Sequence, residues 1–265
     1  MADHKTERVK ILGIDFFNGS VQQAVKEIAG GGYMVVPAAP GLVTIPHDHC
    51  YYEALVNSDV ALADSGYMCL LWIVLRGQRV RRISGLTFLK KFVKLPVLRN
   101  PKALFLVDPS DADALANRRY LASIGISLDP GFSYIAPFYG DAVEDRKLVQ
   151  LLDRLRPGYI ILNIGGGKQE KLALYLIRNM VYRPAIICTG AAIAFLSGIQ
   201  APIPVWADRA GLGWLWRCFY EPGKFVPRYL SALSLFRLIL RFGPEPPLPP
   251  LPPSTRLERE GEPFP

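Results

Sequence analysis

Histidine is scarce in this chain, with 3 in 265 residues, at positions 4, 47 and 49. Nucleophilic catalysis of the Ser/His/Asp or Cys/His kind needs a histidine base beside the nucleophile. No Gly-x-Ser-x-Gly accompanies these three. His47-Asp48-His49-Cys50 has the residue types of a metal cluster, yet side chains two apart do not face one another on a helix. No second ligand group stands at a zinc-like spacing either. The four cysteines (50, 69, 188, 218) form no Cys-x-x-Cys pair, which points to reduced thiols in a cytosolic protein rather than a disulfide framework. Strand-end Asp-x-Asp pairs of the kind that hold a divalent ion are missing. Asp111-Ala-Asp113 has the spacing but opens a helix, where acidic residues complement the dipole. No metal and no cofactor is therefore expected.

Long apolar runs are also missing. The longest, Tyr67 to Leu75, is far short of the ~20 residues that a membrane span requires. The polar start Met1-Ala-Asp-His-Lys-Thr-Glu does not read as a signal peptide. Half of the residues are nonetheless hydrophobic, enough for a core of good size. Net charge is +8 and the pI about 9.3, an excess that suits an anionic partner such as a membrane surface, a nucleic acid or a phosphorylated substrate. No RNP-like or helix-turn-helix pattern supports nucleic acid, which is not expected as a partner.

Strand and helix signals alternate along the chain. Strands are predicted over 9–17, 33–36, 60–63, 103–107, 159–164 and 185–188. Between them helices are predicted near 20–29, 51–56, 67–76, 85–94, 110–124, 143–155 and 168–179, with Ser20 as an N-cap and Gly30-Gly31-Gly32 as a stop. This alternation argues for an α/β fold, a mostly parallel sheet covered by helices on both faces. Ligands of such sheets lie beyond the strand C-termini. Pro37–Gly41, Asp64–Gly66, Gly165–Gln169 and Thr189–Ala191 should gather there.

The stretch Tyr159-Ile-Ile-Leu-Asn-Ile-Gly-Gly-Gly-Lys-Gln-Glu170 is the most informative. A buried strand ends in Gly165, Gly166 and Gly167, and Lys168-Gln169-Glu170 opens a helix. Glycines there let a backbone approach a ligand, and a helix N-terminus suits an anion such as a phosphate. An ordinary tight turn would also need small residues. Neither a P-loop nor the dinucleotide fingerprint fits, since Leu162, Gln169 and Glu170 stand where those motifs need other residues.

Asp64 ends a short apolar strand and is placed to take a proton from an attacking hydroxyl. An Asx-turn residue holding its own loop is the alternative. Arg81 and Arg82 are suited to clamping phosphate oxygens or, equally, to a solvated loop. From about Pro202 the character changes. Trp206, Trp214, Trp216, Phe219, Tyr220, Phe225 and Tyr229 interleave with Arg209, Arg217, Lys224, Arg228, Arg237 and Arg241. Such helices suit a membrane surface, or a cap packed on the sheet. The Pro-rich stretch from Gly243 should be disordered or polyproline-like. The divisions are thus 1–201 for the α/β domain, 202–242 for a basic, aromatic appendage and 243–265 for the tail.

Together these residues resemble the WecG/TagA/CpsF glycosyltransferases (glycosyltransferase family 26), over about residues 10–230. The resemblance rests on Ala63-Asp64 before a helix, Arg82-Ile-Ser-Gly85, and Gly165-Gly-Gly-Lys-Gln-Glu170. It rests also on Gly211-Leu-Gly-Trp-Leu-Trp-Arg217, Glu221-Pro222 and Arg228-Tyr229. It implies a Rossmann-like fold with a C-terminal membrane-associating appendage. The implied activity is inverting, metal-independent transfer from a UDP-sugar, typically UDP-N-acetylmannosamine, to a polyprenyl-diphosphate-linked sugar in cell-surface polysaccharide biosynthesis. The implied location is the inner face of the cell membrane, and homo-oligomerisation is left open. By the resemblance Asp64 is the base, Arg82, Gln169 and Gly190 belong to the donor site with Gly165–Gly167, and Arg209, Arg217 and Arg228 hold the diphosphate.

The chain departs from the family pattern at Pro37-Ala38-Ala39 in place of Thr-x-Asn, at Ile193-Ala194 in place of Phe-Asp, and at Gly213 in place of Glu. Leaving a sugar's polar groups without partners costs about 1–3 kcal/mol each. The expectation is a changed donor sugar. The alternative is a catalytically degenerate relative that binds a membrane or a partner.

Overall fold

The structure is a computed structural model that describes residues 7–190, 192–199, 219 and 222–248. It opens on a hairpin rather than the single strand expected over 9–17. Strands β1 (Arg8–Ile11) and β2 (Ile14–Phe17) pair antiparallel, with Ile11 opposite Ile14. Leu12 at φ 51° and Gly13 at φ 80° turn the corner. Two successive positive φ values match the twist of the flanking strands. Leucine is uncommon in that region, so the sequence carries no turn signal there.

The other strands are β3 (Gly32–Val35), β4 (Val60–Ala61), β5 (Leu104–Asp108), β6 (Ser133–Ile135), β7 (Tyr159–Leu162) and β8 (Ala185–Cys188). They form one sheet in the order β1-β2-β4-β3-β8-β7-β5-β6, parallel at every pairing except β1 with β2. The early strands and the late strands meet where β3 pairs with β8, Val35 opposite Cys188. Every residue of β3 and β8 is buried, as interior parallel strands require.

Helices cover both faces. On one lie α1 (Val21–Ile28), α5 (Gly85–Phe92), α6 (Asp111–Ser123) and α9 (Ala192–Leu196), which bury Val25, Ile28, Phe88, Phe92, Leu121 and Ile193 against Met34, Leu106, Ile161 and Ile187. On the other lie α3 (His49–Val56), α4 (Gly66–Arg76), α7 (Arg146–Leu155) and α8 (Lys168–Asn179). Each fully buried large side chain contributes roughly 1.5–3 kcal/mol. A short helix, α2 (Ala39–Leu42), follows β3. Ser20 starts α1 as expected, in a capping box with Gln23, and Ser65, Ser84 and Ser110 likewise each accept from the backbone N–H three residues on.

The C-terminal helices α10 (Pro222–Ala232) and α11 (Leu235–Phe242) join the same core. Ala232, Leu235 and Ile239 are buried with α4 and the β1–β2 hairpin. Arg76 donates to the Ile239 carbonyl and the Tyr67 hydroxyl to the Leu233 carbonyl, each at 3.4 Å. Residues 243–248 correct an expectation. Composition placed them in a disordered or polyproline-like tail without a core, yet the Gly243 and Pro244 carbonyls accept from Leu12 and Gly13 N–H at 2.8 and 2.9 Å, and Leu248 is buried. Backbone hydrogen bonding to the hairpin turn fixes this stretch despite its prolines.

Candidate active site

The ends of β3, β4, β7 and β8 carry the segments that were expected to gather. After β4 the chain passes Leu62 and Ala63 to Asp64, and Ser65 caps α4. The Arg82 Nε donates to the Asp64 backbone carbonyl at 2.7 Å, and its Nη2 lies 3.7 Å from the Asp64 carboxylate. The two side chains are 25% and 33% exposed, open enough to meet a substrate. Ile83 N–H donates to the Ala63 carbonyl at 3.1 Å, so the segment leading into α5 is bonded to the strand end that presents Asp64. Arg81 lies on the exposed side of this segment, where its backbone N–H donates to Asn18. Burial pushes the Cys69 thiol, close to both, up to about 11, against a lowering by Arg82.

That segment reaches the sheet seam. A Cβ on Gly85 would lie 3.4 Å from the Thr189 carbonyl and 3.6 Å from Val36, so the start of α5 stands at van der Waals distance from the ends of β8 and β3. Beyond Thr189, Gly190 (φ 59°) donates its N–H to Gln169 Oε1 at 2.9 Å. Gln169 Nε2 in turn donates to Glu170 Oε1 at 2.9 Å, and Glu170 Oε2 accepts from Gly167 N–H at 2.6 Å. Asp64, Arg82, Gly190, Gln169 and the glycine turn therefore lie on one continuous set of contacts along the C-terminal edge of the sheet.

The turn works differently from the expectation. Gln169 and Glu170 are 2% and 1% exposed. Glu170 places its carboxylate at the start of α8, where an anion was expected, and Lys168 and Gln169 N–H both point to the Gly165 carbonyl at 3.2 Å. Burial raises the Glu170 pKa, with Gln169 and two backbone N–H groups lowering it. What remains open is the glycine backbone itself. Gly165 and Gly166 are exposed, and among the described residues a Cβ on Gly165, Gly166 or Gly167 would meet nothing within 4 Å. Gly167 adopts φ 89°, which demands glycine.

One polar group escaped sequence reasoning. Asp108 closes β5 with its side chain fully buried, and its Oδ1 accepts from Asn117 and Asn163, each at 2.7 Å. Its signal was present, since an acid ends the apolar Leu-Phe-Leu-Val run much as Asp64 ends its own.

The glycosyl transferase WecG/TagA/CpsF family model matches residues 9–243. The chain belongs to this family. It is a glycosyltransferase, and the family match includes α10 and α11 as well as the sheet. An N-acetylglucosaminyldiphosphoundecaprenol N-acetyl-beta-D-mannosaminyltransferase of Staphylococcus aureus (strain MRSA252) is 22% identical over 243 residues, covering 87% of this chain and 91% of the relative. The enzyme of the same name from strain NCTC 8325 / PS 47 matches with the same identity and coverage. Within this WecG/TagA/CpsF member, the departures at Ala39 and Ala194 follow the adjacent strands β3 and β8, and both side chains are buried. Gly213, Arg209 and Arg217 lie outside the described residues, and at Arg228 only the backbone in α10 is described. Asp48 of the His-Asp-His-Cys cluster caps α3 and pairs with Lys171 at 2.9 Å.

Proposed function

We propose that the chain moves a sugar from a UDP-sugar to a polyprenyl-diphosphate-linked sugar acceptor, with inversion at the anomeric carbon. The carrying observation is the partly exposed Asp64 carboxylate beside Arg82 at the sheet's C-terminal edge. The related Staphylococcus aureus enzymes supply the acceptor class, a sugar diphosphate of undecaprenol. Asp64 takes the acceptor hydroxyl's proton as that oxygen attacks the anomeric carbon from the face opposite the departing diphosphate. Arg82 and the appendage cations Arg209, Arg217 and Arg228 offset charge on the leaving UDP, so that cationic side chains rather than a metal serve the step. The open backbone at Gly165 and Gly166 admits the diphosphate, while Gln169 positions Gly190. Apolar Ala39 and Ala194 favour a donor whose sugar differs from N-acetylmannosamine.

The reaction belongs at a membrane surface, because its acceptor is lipid-linked. Helices α4, α10 and α11 contain no Asp or Glu and carry Arg76, Lys224, Arg228, Arg237 and Arg241. Among the described residues no helix is long and apolar enough to cross a membrane. Basic helices with exposed apolar side chains suit an interfacial position instead, at the inner leaflet of the cell membrane.

The test is turnover of Asp64→Asn with a panel of UDP-sugars and a lipid-diphosphate-linked acceptor. Transfer should fall by about 10²–10⁴-fold, with UDP affinity and melting temperature kept. Unchanged transfer would overturn the role given to Asp64.

A further inference from the structure

Asp108, Asn163 and Thr189 form one row. Val107 is in register with Leu162, and Leu162 with Cys188, so the next residue of each chain segment stands level across the neighbouring β5, β7 and β8. Alternation puts all three on the face where Leu106, Ile161 and Ile187 pack, the face of α5, α6 and α9. Asn117 of α6 completes the group by donating to Asp108.

The row is left short of donors. Among the described residues, Asp108 Oδ2, Asn117 Oδ1, Asn163 Oδ1 and Thr189 Oγ1 are all buried without a hydrogen-bond partner. The residues Asp108, Asn117 and Thr189 are 0%, 1% and 8% exposed. Carboxylate and amide oxygens only accept, and each such oxygen left unpaired costs about 1–3 kcal/mol. A purely structural cluster would be expected to close on itself. This one turns its spare valences to a common need, a group that brings several O–H donors.

Position says which group. Asp64 follows β4 and Asp108 ends β5, four strand spacings apart in the sheet order. At roughly 4.8 Å per spacing that is about 19 Å along the edge. Between them lie Gly190 and the Gly165–Gly167 turn. A nucleotide sugar laid along the edge, with its anomeric carbon at Asp64 and its diphosphate over the glycines, carries its ribose to Asp108. A strand-end acid that accepts from ribose hydroxyls is the arrangement that dinucleotide folds use.

We propose that the row Asp108–Asn163–Thr189 is the ribose end of the donor site, holding the vicinal diol of the nucleoside. This rests on the nucleotide-sugar reading above. Burial already raises the Asp108 pKa, and Asn163 and Asn117 lower it; hydroxyls bonded to Oδ2 act in the same lowering sense.

The experiment compares UDP with 2′,3′-dideoxy-UDP by calorimetry on the full chain and on the Asp108→Asn, Asn163→Ala and Thr189→Val variants. The wild type should bind UDP about tenfold or more tighter than the dideoxy compound, and that ratio should shrink to below about threefold in Asp108→Asn. If Asp108→Asn does not fold, the same ratio in Asn163→Ala and Thr189→Val decides. Equal wild-type affinity for the two compounds overturns the diol assignment while the donor reading stands. So does a ratio unchanged in all folded variants whose melting temperatures alone shift, since the row is then structural. A wild type that binds no UDP overturns the donor reading and the assignment together.

Discussion

The Gln169 side-chain carbonyl accepts the Gly190 backbone N–H at 2.9 Å, tying the loop after β7 to the loop after β8. Gln169 spends its amide nitrogen on Glu170, so one buried side chain sets the relation of two loops that border the site. Replacing it tests whether it acts by touching substrate or by holding those loops. Gln169→Ala leaves the Gly190 N–H and one Glu170 oxygen without these partners and should cost about 1–3 kcal/mol in urea unfolding. Transfer should fall with it, through a raised KM for the donor. Full stability with lost transfer would instead make Gln169 a direct contact.

The glycine turn separates conformation from space. Gly167 sits at φ 89° and ψ −44°, with nothing among the described residues within 4 Å of where a Cβ would stand. Gly167→Ala should therefore destabilise through the backbone alone, by about 1–3 kcal/mol. Gly165 has the same open space and no positive φ. Gly165→Ala should stay within about 0.5 kcal/mol of the wild type and weaken UDP binding by crowding the approach. Equal stability of both variants would contradict the conformational account.

Glu170 gives a pH dependence whose sign follows from burial. Its folded pKa is raised, so the folded state holds this proton to higher pH than the unfolded chain does. The stabilisation is complete below the unfolded value and is lost as pH rises through the folded one. Measured by urea unfolding between pH 4 and 7, the stability difference between wild type and Glu170→Gln should decline with pH, by at most about 1.4 kcal/mol per unit. A difference that grows with pH would mean that Glu170 is held as a charged anion by its donors.

Local chemistry made much of this legible. The Ser20 cap, the Gly30–Gly32 stop and the alternation of apolar strands with helices carried the α/β fold and the edge on which Asp64, Gly165 and Gly190 lie. What escaped depends on contacts distant in sequence. Leu12 takes a left-handed turn because residues 243–244 bond to it. Asp108 falls one residue past the strand predicted over 103–107, and only the register sets Asn163 beside it. The free helix N-terminus expected at Lys168 vanished because Glu170 folds back on Gly167, a choice the same motif leaves open.

The membrane reading has its own physical test. Helices α4 and α11 lie side by side, Tyr67 near Leu233 and Arg76 near Ile239. Each buries one stripe, Met68 with Trp72 and Leu235 with Ile239. The opposite stripes, Leu70, Ile73 and Val74 on one helix and Phe236 and Leu240 on the other, are exposed, Val74 at 71% and Leu240 at 55%. Arg76, Arg237 and Arg241 accompany them without an acid on either helix. Apolar insertion and cation attraction should then act together on anionic vesicles and separate under salt, since screening weakens only the second. Val74→Glu with Leu240→Glu should lower binding to phosphatidylglycerol vesicles by about tenfold or more at any salt concentration, each lost apolar contact being worth about 1.5–3 kcal/mol. Arg237→Gln with Arg241→Gln should lower it chiefly at low salt, by about 1 kcal/mol per charge. UDP affinity should be unaffected in both pairs, because neither touches the sheet edge. Vesicle binding that survives the glutamates would move the membrane contact away from the α4–α11 face.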